Sequence, residues 1–266
     1  MNAPVVVQGP SVWRGSTLRE RDWLVPAGRG RDGAGGETVA RAARALREGP
    51  RVAVVRGLDL EGLTDEECAG VCRRFMAQLG DVRPEDPRRP ADNLVTAQDR
   101  TRMPPHTDRG MLPRPSALLG LLCVRPAGSG GESVLASGHT VHNTLLRTRP
   151  AELSALYLPY RFGDGPAFRR DYPVFERHSG RLDVHYNRYW ITRGQRECGA
   201  PLTVGQEAAL DAFDAVLADP RTALRVRLGR GDLLLVDNRT VLHGRAAFTD
   251  PPAPRGGRCL VRVWAD

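Results

Sequence analysis

The chain has 266 residues, 41% of them hydrophobic, and a formal net charge of +8. That is enough for one large globular domain or two small ones, with no apolar run long enough to cross a bilayer. The positive charge rests wholly on arginine, because lysine is absent; this excludes a Schiff-base lysine and any phosphate-binding loop ending Gly-Lys-Ser/Thr.

The arginines are dispersed along the chain, so the composition reads as GC-rich codon usage, and a nucleic-acid partner is not expected. Five cysteines, an odd and scattered set, argue against a disulfide framework and for a reducing cytoplasm. The N-terminal stretch Met1–Pro10 has neither the basic start nor the apolar core of a signal peptide.

No internal repeat or linker divides the chain, and Gly28–Gly36 reads as a flexible loop too short to join domains, so residues 1–266 are expected to form a single domain. Val39, Ala42, Ala43 and Leu46 recur at helical spacing until Gly49-Pro50 stops the helix. Arg51–Val55 reads as a strand. Thr64 and Glu67 form a capping box for a second helix with the apolar stripe Cys68, Val71, Cys72, Phe75 and Leu79. Cys68 and Cys72 stand one turn apart, but inside that stripe they read as small buried hydrophobes.

Asp81–Pro105 is polar and proline-rich, a long loop expected at the rim of an active site. Ser116–Val124 is apolar without alternation, which predicts a strand buried on both faces. Glu132–Ala136 follows as another strand, then short helices at Val141–Leu146 and Ala151–Tyr157 on either side of Pro150. Leu182–Tyr186 alternates as a strand, and Thr203 with Gln206 caps a helix bearing Ala209, Leu210, Phe213 and Leu217. Strand-like runs then recur at Leu224–Leu228, Asp232–Val236, Thr240–His243 and Arg258–Trp264. The expected architecture is mostly β with helical decoration, a jelly roll.

The chemistry centres on Pro105-His106-Thr107-Asp108. His106 and Asp108, two apart on a strand, send their side chains to one face. An imidazole and a carboxylate side by side are two of the three ligands of a 2-His-1-carboxylate iron site. His243, in the strand-like run after Gly231–Arg239, is a suitable third. In the last strand Arg258, Leu260, Arg262 and Trp264 share one face, and Cys259, Val261 and Val263 the other. Two arginines on one face of such a strand call for anions, and their roots, roughly 13 Å apart, suit two different anionic groups, or a ligand for one and a structural carboxylate for the other.

Taken in order, Pro105-His106-Thr107-Asp108, Gly130-Gly131-Glu132-Ser133, Gly231–Arg239, His243 and Arg258-x-x-x-Arg262 resemble the taurine dioxygenase/clavaminate synthase-like superfamily of Fe(II)- and 2-oxoglutarate-dependent dioxygenases. The resemblance covers residues 103–266, with an N-terminal region of similar character. It implies a double-stranded β-helix, the same jelly roll. It implies that His106, Asp108 and His243 bind Fe(II), and that Arg258 grips the distal carboxylate of 2-oxoglutarate through its planar fork. Ser133 stands where family members often carry threonine and keeps the hydroxyl donor to that carboxylate. Arg262 is implied to meet the primary substrate, where a carboxylate would suit it, or to brace the cosubstrate.

The implied reaction uses O2 as a second cosubstrate, releases succinate and CO2, and hydroxylates an unactivated C–H of a small metabolite, an amino acid or a natural-product intermediate. Desaturation and cyclisation remain open outcomes of the same chemistry. Related halogenases lack the carboxylate, so Asp108 argues for oxygen transfer. The alternative is a jelly-roll metal-binding sensor or binding module without oxygenase activity, against which an intact Arg258 speaks. His139, His142 and His178 are expected at the surface. His185 with Tyr186–Trp190 is a candidate substrate contact, and Arg109 and Arg245 are candidates to touch ligands or substrate.

Overall fold

Apolar runs that lack alternation become strands buried on both faces, and these strands build two facing sheets. The computed structural model describes residues 4–28, 35–83, 94–96, 99–109, 115–163, 170–178, 180–250 and 257–266. Residues 29–34 of the expected loop Gly28–Gly36 and residues 84–93 and 97–98 of the expected loop Asp81–Pro105 thus lie outside the described residues, and the described part of the latter is not all loop, since it holds one strand and the start of another. With strands numbered along the chain, the larger sheet runs β1 (Leu24–Pro26), β2 (Val52–Arg56), β13 (Leu233–Asp237), β5 (Leu118–Arg125), β16 (Cys259–Ala265) and β3 (Leu94–Thr96). The smaller sheet runs β12 (Leu224–Val226), β7 (Ser133–Ser137), β14 (Val241–Arg245) and β4 (Met103–His106). Three hairpin-like pairs complete the set: β8 (Pro159–Phe162) with β9 (Arg170–Pro173), β10 (Phe175–His178) with β11 (Arg181–Val184), and β6 (Ser129–Gly130) with β15 (Phe248–Thr249). Only β1 and β2 pair in parallel among these; the other pairs are antiparallel.

The period of two persists although both faces are apolar. Val52, Val54, Leu119, Cys123, Leu234 and Val236 face inward against Leu135, Leu224, Val226 and Val241 of the smaller sheet. Ala53, Val55, Leu122, Val124, Leu233 and Leu235 face outward under α1 (Gly36–Arg47) and α2 (Asp65–Ala77). The smaller sheet is backed by Ala136 and Leu242 beneath α3 (Gly138–Thr148), α4 (Pro150–Ala155) and α6 (Val204–Ala218). Two apolar sheets sandwiched between helices are the expected jelly roll with helical decoration. In β16, Cys259, Val261 and Val263 join the outer cluster while Leu260 and Trp264 join the inner one, the two faces read from the sequence.

Both capping boxes form, at Thr64–Glu67 and Thr203–Gln206. The five cysteines are free thiols, with Cys68 and Cys72 buried in the α2 stripe. α3 begins earlier than the apolar spacing implies, because the Ser137 hydroxyl accepts from the Thr140 amide and caps it.

The expectation that His139 and His142 lie at the surface is wrong. Both are buried: His139 bonds Ser11 Oγ and the Leu182 carbonyl, and His142 bonds the Tyr157 hydroxyl at 2.8 Å. His178 is exposed, as expected. His185 is buried with Nε2 at 3.7 Å from Glu176, and α5 (Arg188–Glu197) follows, capped by Asn187.

Candidate metal centre

The centre is made by cross-strand pairing. β14 and β4 are antiparallel neighbours, and His243 stands directly opposite His106. Side chains at such a pair leave the same face about 5 Å apart, and the two rings lie 4.6 Å apart between centroids. Gly244 permits the close approach, since a Cβ there would lie 2.6 Å from the Met103 carbonyl. β4 is an edge strand carrying Pro104 and Pro105, which have no amide hydrogen to donate, and its register slips between His243 and Arg245. The centre therefore sits at a rim of the sandwich.

Asp108 follows β4 and is held by its backbone. Its amide donates to Asn238 Oδ1 at 2.8 Å, and Asn238 Nδ2 donates to the Asp108 and Ser116 carbonyls at 2.9 and 3.0 Å. Thr107 is bonded to Tyr186 through both backbone and hydroxyl. Asp108 Oδ1 then lies 3.3 Å from His106 Nε2 and 3.5 Å from His243 Nε2. One ligand atom from each of the three residues falls within 4.8 Å of the others.

The donor chemistry fits a divalent cation. His106 Nδ1 lies 2.9 Å from the Pro104 carbonyl, which can only accept, so in the neutral ring Nε2 presents a lone pair. That lone pair converges with Oδ1 of the carboxylate, an arrangement that a cation relieves. Burial pushes the Asp108 carboxyl up, yet the adjacent His106 and His243 rings and the Arg262 charge hold it well below the usual range. Burial pushes the His243 imidazole down, helped by His106 and opposed by Asp108. Ionised carboxylate and neutral imidazole are the forms that ligate metal.

A pair of buried arginines lies beyond the centre. Arg258 is buried, stands over the Phe248 ring at 5.6 Å, and has no ion-pair partner among the described residues. Arg245 is also buried, 4.8 Å over the same ring, with Nη2 donating to the Asp99 and Thr101 carbonyls and Nε without a partner. Burial and the neighbouring Arg245 push the Arg258 guanidinium down. Ser133 pairs directly across from Arg245 and is buried. Gly131, at φ +72°, explains the Gly-Gly pair: a Cβ there would meet Ala127, Phe248 and Arg258 Nε at 3.1 to 3.5 Å. Two buried guanidiniums that make no ion pair among the described residues have the chemistry to receive an anionic ligand such as a cosubstrate carboxylate.

Arg262 reaches the centre itself, with Nη1 3.7 Å from Asp108 Oδ2. Its guanidinium stacks 4.6 Å from the Trp264 ring, and that of Arg109 lies 3.8 Å from the same ring. Sequence reasoning missed two side chains here. Asn238 was visible only as part of the Asp-Asn-Arg run before His243. Trp264 was assigned to a face but not to the Asp108 carboxylate, to which its indole donates at 3.1 Å.

Residues 32–264 match the family described as taurine catabolism dioxygenase TauD, TfdA family. The chain belongs to this family. The FR-33289 synthase of Streptomyces rubellomurinus is 29% identical over 250 residues, 86% of this chain and 73% of that protein. The structure of an asparagine oxygenase in complex with Fe(II), 2S,3S-3-hydroxyasparagine and succinate superposes with a TM-score of 0.63 at 21% identity, covering 86% of this chain and 84% of that one. A taurine dioxygenase from Burkholderia xenovorans superposes with a TM-score of 0.64 at 21% identity, covering 90% and 84%. These two likenesses carry the jelly-roll fold. As a TauD-family member the protein is a non-haem Fe(II)- and 2-oxoglutarate-dependent dioxygenase with O2 as second cosubstrate. No helix among its described residues is long and apolar enough to cross a membrane.

Proposed function

We propose that this dioxygenase hydroxylates an unactivated C–H of a small metabolite, an amino acid or natural-product intermediate, within one domain spanning residues 1–266. His106, Asp108 and His243 hold the Fe(II); Arg258 and Ser133 hold the distal carboxylate of 2-oxoglutarate; Arg262 meets the substrate, for which a carboxylate is the fitting group. The reading rests on one observation above the others: three convergent ligand atoms accompanied by a buried arginine that makes no ion pair among the described residues. A metal-binding module that only senses would have no use for that second feature. The FR-33289 synthase and the asparagine oxygenase support a small-molecule substrate by their names.

When bound, Fe(II) with 2-oxoglutarate supplies the coupling of oxidative decarboxylation to C–H oxygenation, with succinate and CO2 released. The chain's own residues supply placement. The Pro104 carbonyl fixes the His106 tautomer, and Asn238 fixes the Asp108 backbone. The inner apolar cluster, with Leu260 and Trp264, excludes water from the sheet interior behind the centre. Arg258 orients the cosubstrate by its far end, which leaves the opposite end free to face the three ligands.

The test is succinate production from 2-oxoglutarate by the Fe(II)-loaded protein across amino acids and small carboxylic acids, with His106→Ala as control. Turnover stimulated by at least one compound and absent from the control is expected. No succinate above the control, together with no binding of 2-oxoglutarate, would return the binding-module alternative.

A further inference from the structure

We infer that Trp264 is a positioning residue that restricts Asp108 to one metal-facing oxygen. This inference rests on the assignment of Asp108 to the iron site. The two oxygens of Asp108 are not equivalent. Oδ1 faces His106 Nε2 at 3.3 Å and His243 Nε2 at 3.5 Å. Oδ2 points the other way, to the Trp264 indole N–H at 3.1 Å and Arg262 Nη1 at 3.7 Å.

An indole N–H donates and cannot accept, so unlike a hydroxyl or an amide it cannot turn its partner around. It therefore takes a lone pair of Oδ2 whenever the ring is in place. The ring is well placed. Trp264 lies in β16 opposite Leu119, its carbonyl accepts from the Arg83 amide, and it is 6% exposed within the inner cluster. Guanidiniums stack on it at 3.8 Å from Arg109 and 4.6 Å from Arg262, an arrangement that favours the electron-rich indole over a smaller ring. Arg109 itself adopts φ 57°, a left-handed conformation uncommon for a residue with a side chain, so the chain bends sharply just where that guanidinium meets the indole.

Coordination number gives the arrangement its consequence. Two imidazoles and one carboxylate oxygen leave three positions of an octahedral iron for ligands from solution. A carboxylate free to give both oxygens would take one of them. By engaging Oδ2, Trp264 keeps the set at three protein atoms and so leaves room for a cosubstrate bound through two atoms together with one further ligand.

The test compares Trp264→Phe with the parent protein, both prepared anaerobically. Fe(II) affinity is measured by competition with a chromogenic chelator. The dissociation constant of 2-oxoglutarate is then measured at saturating Fe(II), and thermal unfolding of the metal-free proteins reports packing. We expect Fe(II) affinity to fall by about 10- to 100-fold and 2-oxoglutarate binding to weaken at saturating iron. Arg109→Leu, which removes a stack but keeps the indole, gives a smaller loss in both and serves if Trp264→Phe does not fold. Affinities for both ligands within twofold of the parent, in a folded variant, would overturn the inference and leave Trp264 a packing residue. Failure of the parent to bind Fe(II) would instead refute the metal-site assignment on which the inference stands.

Discussion

Arg258, the proposed 2-oxoglutarate grip, illustrates how a binding residue would strain the fold that carries it. Its guanidinium is buried, is pushed down by burial and by Arg245 with Asp250 opposing, and makes no ion pair among the described residues. An uncompensated buried charge destabilises the ligand-free protein. Arg258→Met should therefore leave the stability of the free protein unchanged or raise it by about 1 kcal/mol, while 2-oxoglutarate affinity drops at least tenfold. Chemical denaturation paired with titration calorimetry reads both; a large loss of stability would mean the guanidinium has a structural partner. Asn238 makes the opposite case. It bonds Asp108 N, Asp108 O and Ser116 O from a fully buried position. Asn238→Ala leaves those groups unsatisfied and should destabilise by about 3 kcal/mol, with weakened metal binding, in the same pair of measurements. At this scale the sequence was informative where chemistry is local. His106 and Asp108 could be paired by their spacing, whereas the partners of His139 and His142 were hidden because Ser11 lies 128 residues before His139, and the sequence did not show that Tyr157 would fold back onto His142.

Between β4 and β14 the decisive feature is distance. His106 and His243 converge because the strands run close, and they run close because position 244 lacks a side chain. Gly244→Ala places a methyl 2.6 Å from the Met103 carbonyl and within 3.0 Å of Pro104 and Pro105 backbone atoms. β4 must then shift, carrying His106 with it. Because β4 is an edge strand, the shift should disturb the site more than the fold. We expect Fe(II) affinity to fall at least tenfold with far-UV circular dichroism unchanged, and wild-type affinity would show that β4 adjusts freely. The strands themselves were readable from apolar runs, since β5 and β13 lie close to Ser116–Val124 and Asp232–Val236. Their order was not, because β13 inserts between β2 and β5 through pairings that cross much of the chain. Nor did the sequence expose the Ser137 cap, which depends on an adjoining strand ending there.

The whole molecule places one layer of chemistry between two layers of packing. The inner cluster joins the sheets, the outer clusters join each sheet to its helices, and the ligand atoms stand at one rim. Buried histidines in the helical layer make its stability sensitive to acid. Burial pushes His142 down to about 4 and lowers His139 as well. A group with a depressed imidazole value takes up its proton in the unfolded chain first, so stability is lost as pH falls below the ordinary value of 6.5, down to about 4 for His142. Burial raises Asp214 and Asp237 and so acts the other way, which makes a difference measurement the informative one. His142→Gln should flatten the pH dependence by up to about 1.4 kcal/mol per pH unit across that window; an unchanged slope would show that His142 charges without opening the layer. The jelly roll was legible from motif order, as was the set His106, Asp108 and His243 whose ligand atoms the fold draws together, while the indole contact to Asp108 needed β4 and β16 brought together from different sheets. The central claim is that His106, Asp108 and His243 hold iron beside a 2-oxoglutarate seat. The direct measurement is the visible charge-transfer absorption of the Fe(II)–2-oxoglutarate chelate under anaerobic conditions, in the parent, His106→Ala and Arg258→Met. The account predicts the band in the parent, its loss in His106→Ala, and in Arg258→Met its appearance only at much higher 2-oxoglutarate; a parent without the band, or a His106→Ala variant that keeps it, would contradict the account.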